Sequence, residues 1–212
     1  MTSGSFISPA TRDRIRGLAV PIAVGLGRLG LTPNHLTLIG FGIAVLSGGF
    51  AAAQNWLAAG VLVLVGGAFD LLDGALARAT GRVNRLGAFL DSVFDRWGEG
   101  VVYIGIAWGS VAAGFTEGAV LATAALASAV MVSYARAKSE SLGFSPGTGM
   151  ANIGLAPREV RIAILTVGLL SVGVAGDIGM GVTLGLITSL ATITTIQRIL
   201  HVHRQSKGDS NA

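Results

Sequence analysis

The sequence has no cysteine and little charge: of 212 residues, 12% are charged and 51% hydrophobic, against about 25% charged in an ordinary soluble domain. The missing cysteine removes disulfides, thiolate zinc sites, iron–sulfur clusters and cysteine nucleophiles together, leaving oxygen and nitrogen as ligand atoms. It gives no signal of compartment. The scarcity of charge excludes disorder and argues against a soluble protein. Five prolines stand against 32 glycines. The glycines have no three-residue period, which rules out collagen, and their number suits transmembrane helices, where they let backbones approach closely. Mean hydropathy is +0.69 and the pI is near 10.3. A net charge of +4 would suggest nucleic acid in a soluble protein, but there is no lysine-rich arm and the tryptophans are scattered among apolar runs. The better partner is a membrane surface, and no nucleic acid is expected. Residues 1–16 carry charges without an uninterrupted apolar core or a small-residue cleavage site, so no cleaved signal peptide is expected.

A transmembrane helix needs about 20 mostly apolar residues, and six stretches qualify when a few acids are tolerated: 33–53, 56–79, 84–114, 118–138, 158–175 and 178–201. Before them, residues 9–29 interleave Arg12, Arg14, Arg16 and Arg28 with Leu18, Val20, Ile22 and Leu26, the pattern of an amphipathic helix lying on the membrane. The expected fold class is an all-α integral membrane protein with six transmembrane helices preceded by an N-terminal amphipathic surface helix. This divides the chain into an N-terminal cytoplasmic segment (1–31), a six-helix domain (32–204) and a polar C-terminal tail (205–212). Every Lys and Arg falls at one end of these spans, and the connections around 54–55, 114–117 and 176–177 have none. The positive-inside rule therefore places both termini in the cytoplasm of a multi-pass protein of the cell membrane. The polar stretch 143–157 is read as a cytoplasmic loop, with Pro157 starting the fifth span.

Four carboxylates stand at the cytoplasmic ends of the second and third spans. Asp70, Asp73 and Ala77 share one helical face, while Gly87, Asp91 and Asp95, at i, i+4 and i+8, form a second. A short turn at 80–85 makes the two helices antiparallel neighbours, so the acidic stripes can face each other. Each carboxylate at mid-membrane costs roughly 2.5–3.5 kcal/mol, less near the interface, so the group needs neutralising. Arg78, Arg82 and Arg85 offer one route. The other is a hard divalent cation such as Mg²⁺ or Mn²⁺, for which carboxylates without His or Cys are the fitting ligands. Two such ions about 3.5–4 Å apart can hold phosphates for displacement. Gly74, Ala77 and Gly87 leave room beside the acids for a flat or polyanionic ligand, and Arg78 is a charged donor at its mouth.

The run DxxDGxxAR from Asp70 to Arg78, eight residues, then GxxxDxxxD from Gly87 to Asp95 resembles the signature of the CDP-alcohol phosphatidyltransferase family at every fixed position. The likeness extends from about Phe6 to His203 and includes Leu31-Thr32-Pro33-Asn34 and Thr37. It implies a six-helix homodimer that transfers a phosphatidyl group from CDP-diacylglycerol, or a similar CDP-lipid, to a polar alcohol and releases CMP. It also implies Mg²⁺ or Mn²⁺, two ions per subunit, held by Asp70, Asp73, Asp91 and Asp95, with Asp95 as general base. Asn34, Thr37, Gly74, Arg78, Asn84 and Gly87 would then receive the CDP-lipid. The stretch from Ser133 to Glu140, with Arg136, the pair Arg158 and Arg161, and Gln197-Arg198 resemble the phosphatidylinositol phosphate synthase subfamily. That likeness makes Arg136, Arg158, Arg161 and Arg198 a clamp for the phosphate of myo-inositol phosphate. One feature departs from it: the subfamily carries two Glu-Arg pairs near the start of the fifth span, whereas Pro157-Arg158-Glu159-Val160-Arg161 keeps the arginines without their preceding acids.

Other readings stay open beside these. The acceptor could be glycerol phosphate, serine or another polyol. The arginines could serve as positive-inside anchors, and intramembrane aspartates also suit a cation or proton transporter. Against a transporter, no internal repeat is visible, and Glu117 and Asp177 are the only acids on the far side. Gly25-Leu-Gly27-Arg-Leu-Gly30 matches a dinucleotide fingerprint literally, but no strand precedes it. Gly105 with Gly109, and Gly181 with Gly185, are expected to pack helices within the chain.

Overall fold

Where two helices cross in this protein, glycine sets the distance. A Cβ at Gly105 would collide with the carbonyl oxygen of Gly48, and one at Gly109 with that of Ala51. The crossing is therefore backbone on backbone, as small residues permit between membrane helices. In this computed structural model, which describes residues 9–144, 150 and 153–209, all regular structure among the described residues is helical. The helices are α1 (Pro9–Arg28), α2 (Pro33–Ala52), α3 (Trp56–Ala79), α4 (Arg85–Ala112), α5 (Thr116–Ser141) and α6 (Arg158–Asp209). Phe6, the last three residues and residues 145–149 and 151–152 of the 143–157 loop lie outside the described residues.

The helix starts follow from local chemistry. Thr32 and His35 form a reciprocal capping box on α2, Asn55 caps α3, and the Asn84 side chain accepts from the Gly87 N–H at 2.7 Å to cap α4. His35, to which the sequence gave no role, is thus a capping residue. Helix α6 runs 52 residues but is broken at Gly176, whose φ of 56° and ψ of −153° belong almost only to glycine. The limbs on either side fold back on one another, since Gly168 abuts Thr183 and Leu155 N–H donates to Thr194 Oγ1 at 3.1 Å. The expected spans 158–175 and 178–201 are therefore two limbs of α6 joined by a single residue. The second limb stays helical to Asp209, into the stretch expected as a tail.

The helices close into a ring in which α3 packs on α2, α2 on α4, α4 on α5, α5 on α6, and α6 on α3, with α1 against α3 from outside. Its centre is apolar and small-residue rich, with Ala51, Ala59, Tyr103, Ile106, Ala122, Ala125, Leu169 and Ile187 all buried. Helices α2, α3, α5 and α6 are long and apolar enough to cross a membrane, yet only 28–33% of the residues in their apolar stretches are buried inside the protein. Most of their apolar surface faces outward, Val174 being 97% exposed. In water such a surface would aggregate, and in hydrocarbon it is solvated.

Gly105→Val is expected to lower the thermal unfolding midpoint in detergent, because overpacking a fixed crossing costs about 1–3 kcal/mol. Gly185→Val is the matched control. Nothing lies within 4 Å of a Cβ there, and its midpoint should not move.

Candidate active site

The ring brings five helix ends together. Because α3 and α4 are antiparallel, the last ten residues of α3 and the first eleven of α4 lie side by side, carrying Asp70 and Asp73 on one and Asp91 and Asp95 on the other. Asp73 is buried, 6% exposed, and accepts a 2.8 Å hydrogen bond from Thr37 Oγ1 on α2. Asp91 stands within electrostatic reach of both Asp70 and Asp73. Asp70 Oδ2 lies 2.5 Å from Arg158 Nη1, and Asp95 Oδ1 lies 3.1 Å from Nη2 of the same guanidinium. The second oxygen of Asp95 meets Arg96 Nη1 at 3.0 Å, and Arg96 Nε reaches Ser133 Oγ on α5 at 3.0 Å. All four aspartates thus form one cluster at one end of the ring.

Beside the acids the chain keeps room. A Cβ at Gly74 would stand 3.2 Å from Arg78 Nη1, so the arginine lies across the glycine. A Cβ at Gly87 would come within 3.2 Å of Asn34 Oδ1 and 3.3 Å of Asn84 Oδ1. Asn34, Thr32, Arg82 and Asn84 line an open hollow between the starts of α2 and α4, where the helix dipoles favour an anion. Arg78 is exposed and makes no ion pair among the described residues. A second, mostly apolar cleft runs inward from Asp70, Asp95 and Arg158 past Phe41 and Phe94 to Val63 and Leu165.

The four arginines assigned to the acceptor have different surroundings. Arg136 is half-exposed and pairs with Glu140 on its own helix at 3.0 Å. Arg158 lies between the two aspartates. Arg161, 1% exposed, gives Nε and Nη2 to both oxygens of Glu99 at 2.9 and 2.8 Å and Nη1 to the Ala156 carbonyl at 3.0 Å. Arg198 donates to the carbonyls of Ile153 at 3.0 Å and Val132 at 2.5 Å. The guanidinium groups of Arg161 and Arg198 are thereby tied to the fold itself. Glu99 escaped the sequence reading because its partner is 62 residues away. Arg161 thus finds its acid on α4, not in the residue preceding it. The one local signal was a lone glutamate one turn beyond Asp95 in an apolar helix.

Among the described residues no three Asp, Glu or His side chains close on a single point. The donor set nevertheless fits a hard divalent cation. It is all carboxylate, drawn from two facing helices, and two of its members already converge on one cationic group, the Arg158 guanidinium.

A family model described as CDP-alcohol phosphatidyltransferase matches residues 30–197. Archaetidylinositol phosphate synthase of Pyrococcus horikoshii is 37% identical over 194 residues, covering 92% of this chain and 95% of that one. Among solved structures, the crystal structure of Mycobacterium tuberculosis phosphatidylinositol phosphate synthase with CDP-DAG bound is similar with a TM-score of 0.77 at 29% identity, covering 87% of this chain and 92% of the other. The same enzyme in complex with manganese and citrate is similar with a TM-score of 0.76, covering 87% and 88%.

Proposed function

The chain belongs to the CDP-alcohol phosphatidyltransferase family, and from that membership we propose that it transfers the phosphatidyl group of CDP-diacylglycerol, or of a similar CDP-lipid, to a hydroxyl of myo-inositol phosphate. The observation that carries the reading is the pairing of Asp70 and Asp95 across one guanidinium, with Asp73 and Asp91 within electrostatic reach of Asp70. Support for the acceptor comes from relatives named for inositol phosphate lipids across most of their length. Membership in an enzyme family leaves the transporter reading without an observation to carry it.

In this reading Asp70, Asp73, Asp91 and Asp95 would hold Mg²⁺ or Mn²⁺, two ions per subunit. The ions would supply charge neutralisation at the diphosphate and polarise the phosphorus under attack. Thr37 fixes the rotamer of Asp73 through its hydrogen bond. Gly74 and Gly87 give up the volume that a nucleotide needs, with Asn34, Asn84 and Arg78 at its edges. The acceptor hydroxyl oxygen attacks the lipid-bearing phosphorus as the bond from that phosphorus to the bridging oxygen breaks. CMP departs with that oxygen, and Asp95 takes the hydroxyl proton. On the acceptor side, Arg136 and Arg158 offer charge to a phosphate, while Arg161 and Arg198 hold the wall from which they project.

We further propose six membrane crossings: α2, α3, α4, α5 and the two limbs of α6. Helix α4 is carried across despite its acids because they face the cluster, and α1 lies on the surface. The site and both termini face the cytoplasm, which the one-sided distribution of Lys and Arg supports. A homodimer is the expected assembly.

The test is CMP release by purified protein given CDP-diacylglycerol and a panel of alcohols. Myo-inositol phosphate is expected to be preferred over free myo-inositol, glycerol phosphate and serine. In the same assay Arg136→Gln is expected to raise KM for the phosphorylated acceptor roughly tenfold, the worth of a charge-assisted hydrogen bond, and to leave KM for the CDP-lipid nearly unchanged. Preference for an uncharged alcohol would overturn the acceptor and leave the family standing.

A further inference from the structure

Arg158 bridges two of the four carboxylates, with one nitrogen on Asp70 of α3 and the other on Asp95 of α4. A guanidinium so placed sits where an ion shared by Asp70 and Asp95 would have to sit, because both would claim the same pair of oxygens. Its remaining donor, Nε, is buried without a partner. Arg161 differs in that its Nε and both terminal nitrogens are all engaged. The Arg158 contact is also partly open to solvent: the side chains of Arg158, Asp70 and Asp95 are 21%, 23% and 15% exposed, against 1% and 6% for Arg161 and Glu99. Arg158 is the first residue of α6, following Pro157, so its side chain can swing outward without unwinding a helix.

We propose that Arg158 is the built-in counter-cation of the metal-free site, and that its guanidinium and a divalent ion compete for Asp70 and Asp95. The proposal rests on the metal-holding role given to those residues above. Through it the cluster is never left as bare carboxylates in a membrane protein, a state that would cost several kcal/mol. It also makes metal affinity lower than the four acids alone would give, because binding must first displace the arginine. By linkage, an anion that draws Arg158 away tightens the metal by the same factor that the metal tightens the anion.

The experiment measures Mn²⁺ binding to the purified full-length protein in detergent, without nucleotide or acceptor, by the loss of the free-ion electron paramagnetic resonance signal. Arg158→Gln is expected to bind Mn²⁺ roughly tenfold or more tightly than the unsubstituted protein, the worth of the charge-assisted contacts removed. Arg96→Gln removes an equal charge that, of the four acids, pairs with Asp95 alone, and its Kd should shift less than about threefold, as for a partly exposed pair. In chelator Arg158→Gln should melt below the unsubstituted protein, and saturating Mn²⁺ should close the gap. Equal or weaker Mn²⁺ binding by Arg158→Gln, or equal shifts in both variants, overturns the competition. If no form binds Mn²⁺, the metal assignment falls and this proposal with it; binding with an unshifted Kd removes the competition alone. Should Arg158→Gln fail to fold, Arg158→Lys is measured instead, since its single ammonium cannot bridge both carboxylates. A Kd equal to that of the unsubstituted protein would then overturn the proposal.

Discussion

Asp73→Asn or Asp91→Asn is expected to reduce CMP release by on the order of 10²–10³-fold or more, the cost of losing one preorganised charge-stabilising group at a reacting phosphate. The fold should survive, because each substitution removes a charge from a crowded acidic cluster rather than adding one. Asp73 makes the cleaner case. It is buried, its one side-chain partner is Thr37, and an Asn there still accepts from the hydroxyl. Lost activity with an unchanged melting temperature and elution profile would therefore report on lost charge, not on lost structure. Asp70→Asn should lose activity too, although Arg158 then keeps Asp95 as its partner. Asp95→Asn should differ in kind, lowering kcat more than CDP-lipid affinity, because it removes the proton acceptor. Turnover in excess chelator, or full activity in the Asp73 and Asp91 variants, would contradict the metal reading. An unchanged kcat in Asp95→Asn would leave that residue without a role as base.

The second large effect concerns stability. Glu99→Leu is expected to destabilise the protein by about 3–5 kcal/mol, because it strands the charge of Arg161 in a site 1% exposed. Arg161→Met alone should cost a comparable amount by stranding Glu99. The double variant Glu99→Leu/Arg161→Met should recover much of the loss, since a well-packed apolar pair is often as stable as the ion pair it replaces. Thermal unfolding of the four forms in one detergent closes the cycle. The pair joins α4 to the start of α6, so the single variants should also loosen Arg158, three residues before Arg161. Additive losses in the double variant would show that the two side chains act independently of their contact.

The acidic centre was legible because its information is local. Asp70, Asp73, Asp91 and Asp95 are placed by helical spacing within two neighbouring segments, and the turn after Ala79 leaves α3 and α4 no choice but to run antiparallel. All six helices begin within two residues of where apolar runs and capping residues put them, Asn84 and Thr32 being the clearest markers. The arginines were harder. Arg136, Arg158, Arg161 and Arg198 look alike in sequence, and only the three-dimensional neighbours distinguish the one that meets Asp70 and Asp95 from the one that meets Glu99 and the one spent on carbonyls. Those contacts span 45 to 88 residues of chain, beyond the reach of any periodicity. The fold-back at Gly176 was legible as a place but not as a form: a boundary between two apolar runs does not reveal that a single residue makes it.

That same economy recurs at the end of the ring remote from the acids. The links there are residues 53–55, residues 113–115 and Gly176, with no helix-free stretch longer than three residues. With the six crossings and the orientation proposed above, this leaves the outer face almost flush with the headgroups. An antibody, a protease or a soluble partner approaching from that side would find almost no polypeptide to grip. In the proposed orientation a reporter fused at either terminus would stay on the inner face, and an epitope for the outer face would have to be inserted at one of the short links, where there is little slack to absorb it.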